Sequence, residues 1–293
     1  MDDRDFVYFL QWALPKMGMR WAGFRKVRGQ AKKRVSRRMA ELGVGSLDAY
    51  QRHLEEDESE WAVLDEMCHI TISRFYRDRG VFEFLGGTVL PELAEAAKRQ
   101  GRGRLRAWSA GCASGEEPYT LSLVWEFELA KRFGELELDI VATDADEHML
   151  ERARRACYPE GNLAELPEGW REEAFEPVEG EYCLGARFRE RVELRLEDVR
   201  ETQPDGPFDV VLCRNLAFMY FDHDTQMAVL DAIGERLVPR GALVVGAHDT
   251  LPEGYNMVPE SRDMVPECHD TVSESRRSFE PWNEGRRVFR LTS

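Results

Sequence analysis

The chain has 293 residues, 43% of them hydrophobic and 32% charged, and a formal net charge of −15. That composition describes a globular chain with length for one large or two smaller domains and an ample core. No apolar run reaches the length of a membrane span and Met1-Asp2-Asp3 does not open a secretory signal, which argues against insertion or export and predicts a cytoplasmic protein.

Six cysteines are present, Cys68, Cys112, Cys157, Cys183, Cys213 and Cys268, and no two stand at a C-x-x-C spacing. Neither a metal site nor a redox motif is therefore predicted, and reduced thiols are the expectation. Charge is unevenly spread. Between Phe6 and Ala40 lie ten Lys/Arg and no Asp or Glu, while the rest of the chain is strongly acidic. A basic end on an acidic body predicts an acidic protein partner; the alternative is a solvated helical face balanced within the molecule. The acidic remainder argues against nucleic acid.

Residues 1–100 read as helical. Phe6, Phe9, Leu10, Ala13 and Leu14 fall at helical spacing before Pro15, and Val27, Ala31, Val35 and Met39 form an i, i+4 stripe. Gly43 and Gly45 end that helix and Ser46 caps the next, with Leu47, Tyr50 and Leu54 facing inward. A helix from about Glu60 to Ile70 follows. The segment Thr71 to Asp78 lacks helical period and reads as a connector that lies across a binding site. A last helix, about Val81 to Gln100, has Pro91 within it.

From Arg104 onward strands and helices alternate, the pattern of a mostly parallel sheet. Arg104 to Phe133 reads strand, small-residue turn, helix, with Pro118 and two glutamates suited to a first helical turn. Gly111 and Gly115 are expected to let a ligand approach the backbone closely. The Gly-x-x-x-Gly spacing, with Glu116 and Glu117 after it, does not suit a pyrophosphate. A ligand bearing hydroxyls and a positive charge suits it better, and S-adenosylmethionine is one. An ordinary βα turn stays open as the other reading of this stretch alone. Leu136 to Thr143 is the second strand and ends at Asp144, placed to accept two ribose hydroxyls or, alternatively, to cap the helix that follows, a task Asp146 can also fill. Tyr182-Cys183-Leu184 and Arg187-Phe188-Arg189 flank Gly185-Ala186 and read as an inserted hairpin. Val192 to Leu196, Phe208 to Cys213 and Gly241 to Gly246 are further strands, the second apolar enough for a sheet centre. Arg287 to Leu291 reads as a closing strand.

In these residues the chain resembles the CheR-type chemotaxis receptor methyltransferases over nearly its whole length. Trp108 to Tyr119 is similar to that family's cofactor loop, Ala142-Thr143-Asp144 to its ribose-binding strand end, and Phe208 to Asp222 to its fourth-strand signature. Thr71 to Asp78 resembles its T-x-F-F-R-D connector. The chain departs from the pattern in having four residues, Leu216 to Met219, between the asparagine and Tyr220, and Gly246-Ala247-His248-Asp249 where the family has G-H-S-E.

The resemblance implies an α/β fold: a class I, Rossmann-like methyltransferase sheet with an N-terminal all-α domain (1–80), a catalytic domain (81–293) and a β-subdomain inserted near 158–190. It implies S-adenosylmethionine as cofactor and O-methyl transfer to glutamate side chains of a chemoreceptor-like protein. By matching position, Thr71, Ser73 and Arg77 lie by the cofactor's methionyl end and Ala110 and Gly111 in its loop. Glu116 or Glu117 takes its ammonium, Asp144 its ribose, and Asp198 with Val199 its adenine. Asn215 and Leu216 line the site, and Arg77 and Tyr220 position the substrate carboxylate. A different protein or small-molecule acceptor, and a cofactor-binding module without turnover, are the competing readings.

Overall fold

The computed structural model describes residues 1–255 and 278–292. Contacts divide the chain into two units, Met1–Ile72 with Met219–Gln226, and Ser73–Phe218 with Met227–Ser293. The tail between 256 and 277, including Cys268, lies outside the described residues.

The first unit is built from α1 (Asp3–Ala13), α2 (Trp21–Phe24), α3 (Arg28–Glu41), α4 (Leu47–Glu56) and α5 (Ser59–Cys68). The Asp2 carboxylate caps α1 by accepting from the Arg4 amide, and Ser46 Oγ caps α4 by accepting from the Ala49 amide at 3.2 Å. Gly43, at φ +68°, closes α3 in the left-handed conformation that costs a glycine least. Phe6, Leu10, Ala31, Val35, Tyr50 and Leu64 are fully buried between these helices. Each large apolar side chain so buried contributes about 1.5–3 kcal/mol. Much of the basic stretch is spent here. Arg38 donates to the buried Glu60 carboxylate at 3.0 and 2.7 Å, and the Tyr50 hydroxyl donates to the same group at 2.8 Å. Arg34 donates to the carbonyls of Met67 and His69 at the end of α5, and Arg28 and Lys32 pair with Asp3. Residues 219–226 join this unit through a bridge of Met19 with Phe221 and a bond from the Asp222 amide to the Gly18 carbonyl at 2.8 Å.

In the second unit α6 (Arg79–Phe84) and α7 (Leu90–Arg99) are joined by a π-helical stretch, Leu85–Val89, whose last widened bond, from the Leu90 amide to the Leu85 carbonyl, directly precedes Pro91. Then come β1 (Arg104–Ala110), α8 (Glu116–Val124), β2 (Glu137–Asp144), α9 (Glu147–Arg155), β3 (Cys157–Tyr158), α10 (Trp170–Ala174), β4 (Phe175–Val178), β5 (Glu181–Leu184) and α11 (Ala186–Arg189). After these follow β6 (Val192–Leu196), β7 (Phe208–Cys213), α12 (Ala217–Tyr220) and α13 (His223–Arg236), the two helices each with part of their length in the 219–226 stretch of the first unit, then β8 (Leu237–Val245), β9 (Phe279–Asn283) and β10 (Val288–Leu291). The main sheet has seven strands in the order β6-β2-β1-β7-β8-β10-β9. Every ladder from β6 to β8 is parallel, and β10 runs antiparallel to both neighbours. All six residues of β7 are buried, as a central strand requires. Strand order reverses between β1 and β7, so the crevice outside their carboxyl ends is where such a sheet binds ligands. The α/β sheet with an N-terminal helical portion is the fold expected from the sequence. No helix among the described residues is long and apolar enough to cross a membrane.

Four sequence expectations are corrected. The hairpin lies one strand upstream of the expected place: β4 pairs with β5 around Glu179-Gly180, both at positive φ, and Ala186–Arg189 is a helical turn. With β3 on its other side, β5 is the centre of a three-stranded antiparallel sheet. The fifth parallel strand begins at Leu237 rather than Gly241, because a register shift against β7 absorbs the Val238 to Arg240 turn without ending the strand. A further strand, β9, precedes the closing one. Finally, Cys157 and Cys183, expected as thiols, are joined in a disulfide, because pairing of β3 with β5 places them directly opposite each other.

Candidate active site

The loop after β1 is held by protein contacts before any ligand is considered. The amides of Gly111 and Cys112 both donate to the Thr143 carbonyl, at 2.8 and 2.9 Å, and Trp108 Nε1 donates to Thr143 Oγ1 at 3.0 Å. Gly111 sits at φ +75°, and a Cβ there would stand 2.5 Å from the Leu216 side chain. Gly115 at φ +92° is likewise closed over by Tyr119 and Ala153. At both glycines the missing Cβ lets neighbouring side chains close in on the loop. Ala110 is fully buried, and Leu216, lying on Gly111, ties the end of β7 to the end of β1.

The adjacent glutamates have different surroundings. Glu116 is 1% exposed and accepts from Ser114 Oγ and, at 2.9 Å, from Asn162 Nδ2. Glu117 accepts from Ser109 Oγ at 2.7 Å and pairs with Arg214 Nη1 at 3.0 Å. Arg214 is the organising cation of this corner. Its side chain is 2% exposed, its Nη2 donates to Asp78 at 2.7 Å and to the Arg77 carbonyl at 3.0 Å, and its guanidinium lies 5.2 Å from the Phe82 ring centroid. Two carboxylates around one guanidinium leave the corner with a net charge of −1. Of the site residues expected from the sequence, Arg77 and Asn215 are brought together: Arg77 Nη2 donates to Asn215 Oδ1 at 3.2 Å. Asn215 itself sits at φ +55°, a conformation asparagine tolerates better than most residues. Its amide and that of Gly246 both donate to Asp249 Oδ2, at 2.8 and 2.7 Å, so a buried carboxylate clamps the ends of β7 and β8 together.

Asp144 accepts from the Ala113 amide at 2.8 Å and from the Asp146 amide at 3.0 Å, so it shapes the loop after β1. The cap of α9 is Asp146, which accepts from His148 and Met149, leaving Asp144 without that task. Asp198 follows β6 and is gripped by Arg200 through its Nε and Nη2, the latter at 2.6 Å; Val199 beside it is buried. Ser73 opens the second unit and is half-buried, as is Thr71 near the end of the first. The connector is stitched down at Phe75, whose amide donates to the Asn162 carbonyl, and at Tyr76, whose amide donates to Thr120 Oγ1. Tyr220 belongs to the helical unit, where its ring meets Phe24 edge-on at 5.2 Å and its carbonyl accepts from the Arg20 amide. Burial, reinforced by Asp144, pushes the Cys112 thiol well up, so it acts as a small packing residue.

The sequence reading missed Arg214, Asp78, Asp249 and Asn162 as site residues. The signal for Arg214 was present, since an arginine that directly follows the apolar Val210 to Cys213 stretch of a buried strand has to be paired to be buried.

Comparison with known proteins decides the family. The model of the CheR methyltransferase SAM-binding domain matches residues 71–264, and that of the CheR methyltransferase all-alpha domain matches 27–67. The chain belongs to the CheR methyltransferase family. A chemotaxis protein methyltransferase of Listeria monocytogenes is 29% identical over 87% of the chain and 94% of its own length. Chemotaxis protein methyltransferase 1 of Pseudomonas aeruginosa is 33% identical over 76% and 84%, and a probable chemotaxis protein methyltransferase of Rhizobium etli is 31% identical over 73% and 81%. As a CheR methyltransferase it uses S-adenosylmethionine, and the residues present fit that group. The net −1 corner at Arg214 suits a cationic amino-acid end, and the half-buried Asp144 carboxylate at the end of β2 suits hydroxyl donors. The SAM-binding match contains every site residue named from the sequence, Thr71 to Tyr220.

Proposed function

We propose that the chain transfers the methyl group of S-adenosylmethionine to glutamate side-chain carboxylates of an acidic, chemoreceptor-like protein. The observation that carries the reading is the carboxyl edge of the sheet, where the Arg77 guanidinium stands on the Asn215 amide beside the net-negative corner of Asp78, Arg214 and Glu117. A carboxylate acceptor needs no general base, because a glutamate of ordinary pKa near ~4.3 is ionised at neutral pH. When bound, S-adenosylmethionine supplies a sulfonium-activated methyl group. The chain's task is then alignment and removal of water from the acceptor oxygen. Arg77 holds the acceptor carboxylate in its planar fork, and Asn215, fixed through Asp249, sets the direction from which the guanidinium does so. Glu117, less buried than Glu116, takes the cofactor's ammonium, while Glu116 holds the loop to Asn162. Thr71 and Ser73 lie toward the methionyl end, Ala110, Gly111 and Leu216 form the wall, Asp144 takes the ribose, and Asp198 with Val199 takes the adenine. Tyr220 keeps the role implied by its place in the motif, a hydroxyl donor to the acceptor.

Arg25, Lys26 and Lys33 are exposed and carry the cationic surface offered to an acidic partner, since Arg28, Lys32, Arg34 and Arg38 serve contacts within the helical unit. The test is incubation of the purified chain with radiolabelled cofactor and a chemoreceptor cytoplasmic fragment. Label should enter the fragment and leave as methanol in mild base. Label that is stable to base would reject carboxyl methylation.

A further inference from the structure

The disulfide between Cys157 and Cys183 has no part in the reading above, and its position gives it one. Cys157 lies in β3, which contributes only two residues to its sheet, Cys157 opposite Cys183 and Tyr158 opposite Tyr182. So short a ladder holds its place weakly, and a covalent cross-link therefore matters more to it than to a long strand. The residue after Cys157 reaches the cofactor loop: the Tyr158 hydroxyl donates to the Ser114 carbonyl at 2.7 Å. Four residues further on, Asn162 donates to Glu116 at 2.9 Å and accepts from the Phe75 amide at 3.0 Å. The Phe75 ring in turn stands edge-on to Tyr158 at 4.9 Å and to Phe175 of β4 at 5.2 Å. One short strand thus supports both the loop after β1 and the connector that carries Arg77.

The pair is also set apart from the other described cysteines. Cys157 and Cys183 are each half-buried, within reach of a small reagent, whereas Cys68, Cys112 and Cys213 are at most 2% exposed. Burial pushes the thiols of those three up, to about 12 at Cys68, which keeps them out of thiolate chemistry at neutral pH.

We propose that Cys157 and Cys183 are a reversible thiol–disulfide modification site that controls how firmly the cofactor loop is held. The oxidant is a low-molecular-weight disulfide of the glutathione type. One cysteine thiolate attacks it, breaking its S–S bond, forming a mixed disulfide and releasing one small thiol. The second cysteine thiolate attacks the protein sulfur of that mixed disulfide, forming the Cys157–Cys183 bond and releasing the second small thiol. The two protein thiols thereby give up two electrons and two protons, which leave with the two released thiols. The oxidised chain has β3 stapled to β5 and Tyr158 fixed on Ser114; the reduced chain keeps β3 in place by its two residue pairs, the Leu184 amide on the Ala156 carbonyl and the packing of the Tyr158 ring, without the covalent link. This rests on the assignment of the Ser109–Gly115 loop to S-adenosylmethionine.

The test is equilibration of the full chain in glutathione buffers of varied ratio. The redox state of each cysteine is followed by alkylation and mass spectrometry, and S-adenosylmethionine affinity by calorimetry on the oxidised and reduced forms. The expected result is reversible conversion confined to Cys157 and Cys183, with binding weakened about fivefold or more on reduction, the lower end of ordinary site-to-site coupling. Cys183→Ser should bind as the reduced chain does and should not respond to glutathione. Because reduced wild type supplies the same comparison, a folding defect in that variant would not decide the matter. Equal affinity of the two forms, or no cross-link at any ratio, overturns the proposal alone. Failure of both forms to bind the cofactor overturns the loop assignment, and the proposal with it.

Discussion

Replacement of Arg214 by methionine should damage the fold and the cofactor site together, by an amount set by what the guanidinium leaves behind. Its side chain is 2% exposed and makes three bonds, to Asp78 at 2.7 Å, to Glu117 at 3.0 Å and to the Arg77 carbonyl at 3.0 Å. Methionine fills similar volume, so the cost is electrostatic rather than a cavity. Breaking a buried ion pair by removing one partner costs about 3–5 kcal/mol. Asp78 and Glu117 retain 32% and 14% side-chain exposure, so water relieves part of the penalty and the lower end applies. A loss of about 3 kcal/mol is some two decades in the folded-to-unfolded ratio, out of a total of about 5–15 kcal/mol. Urea unfolding at neutral pH, with and without S-adenosylmethionine, measures it. Arg214→Lys keeps the charge but not the fork, reaches one carboxylate at a time, and should recover part of the loss. Two effects oppose each other in cofactor binding: removing the cation makes the corner more negative, which favours a cationic ligand, but it also frees Glu117 from a fixed orientation. The second should win, because among the described residues Ser109 and Arg214 are what aim Glu117. An Arg214→Met chain within about 1 kcal/mol of wild type, or one that binds the cofactor more tightly, would refute the reasoning.

Gly111→Ala places a Cβ against Leu216 at φ +75°, combining left-handed backbone cost with overpacking for a loss of about 2–4 kcal/mol in chemical denaturation, and it should weaken cofactor binding because Leu216 has to move. Arg77→Ala should abolish methyl transfer while leaving part of the cofactor affinity, read as turnover against calorimetry; Tyr220→Phe should lower turnover with cofactor affinity unchanged. In the helical unit the Arg38 guanidinium, and then the Tyr50 hydroxyl, hold the Glu60 carboxyl below its ordinary value of 4.5 against the opposing effect of burial. A depressed carboxyl contributes stability that is present above its unfolded pKa and lost as pH falls through the native one. Stability measured between neutrality and pH 3 should fall below about 4.5, and Glu60→Gln should flatten that part of the curve.

The central parallel strands were legible because each carries a mainly apolar stretch, Ile140 to Ala142 in β2 and Val210 to Cys213 in β7, and in β7 all six positions are buried. The strand ends were legible for a related reason, since Asp144 and Asn215 interrupt apolar runs where a sheet of this kind binds ligands. What escaped the sequence depends on partners far away in the chain. Glu179-Gly180 is a weaker turn signal than the Gly185 region, so the hairpin was placed one strand late. The opposition of Cys157 and Cys183 exists only once β3 and β5 pair. The membership of 219–226 in the helical unit rests on Met19 and Gly18, some two hundred residues earlier. Asp249 showed only a departure from a motif, yet it bonds two strand-end amides at once.

The paired glutamates show how far a motif goes without geometry. Glu116 and Glu117 are adjacent on the first turn of α8, and both suit the helix dipole, so sequence gives no reason to prefer either. Their side chains point to different neighbours because successive helical residues do not share a face. Glu116 is turned toward Asn162 and Ser114 and is nine-tenths or more buried; Glu117 is turned toward the ends of β1 and β7, where Ser109 and Arg214 hold it. The first ties the loop to the helical turn that follows the strand carrying Cys157, and the second lies between the carboxyl ends of β1 and β7. Under the proposed reading, a single dipeptide serves support through Glu116 and binding through Glu117. The carboxylates that excluded a pyrophosphate are the loop's structural anchor and its charge, and Arg214, by cancelling only part of that charge, leaves the corner suited to a cation.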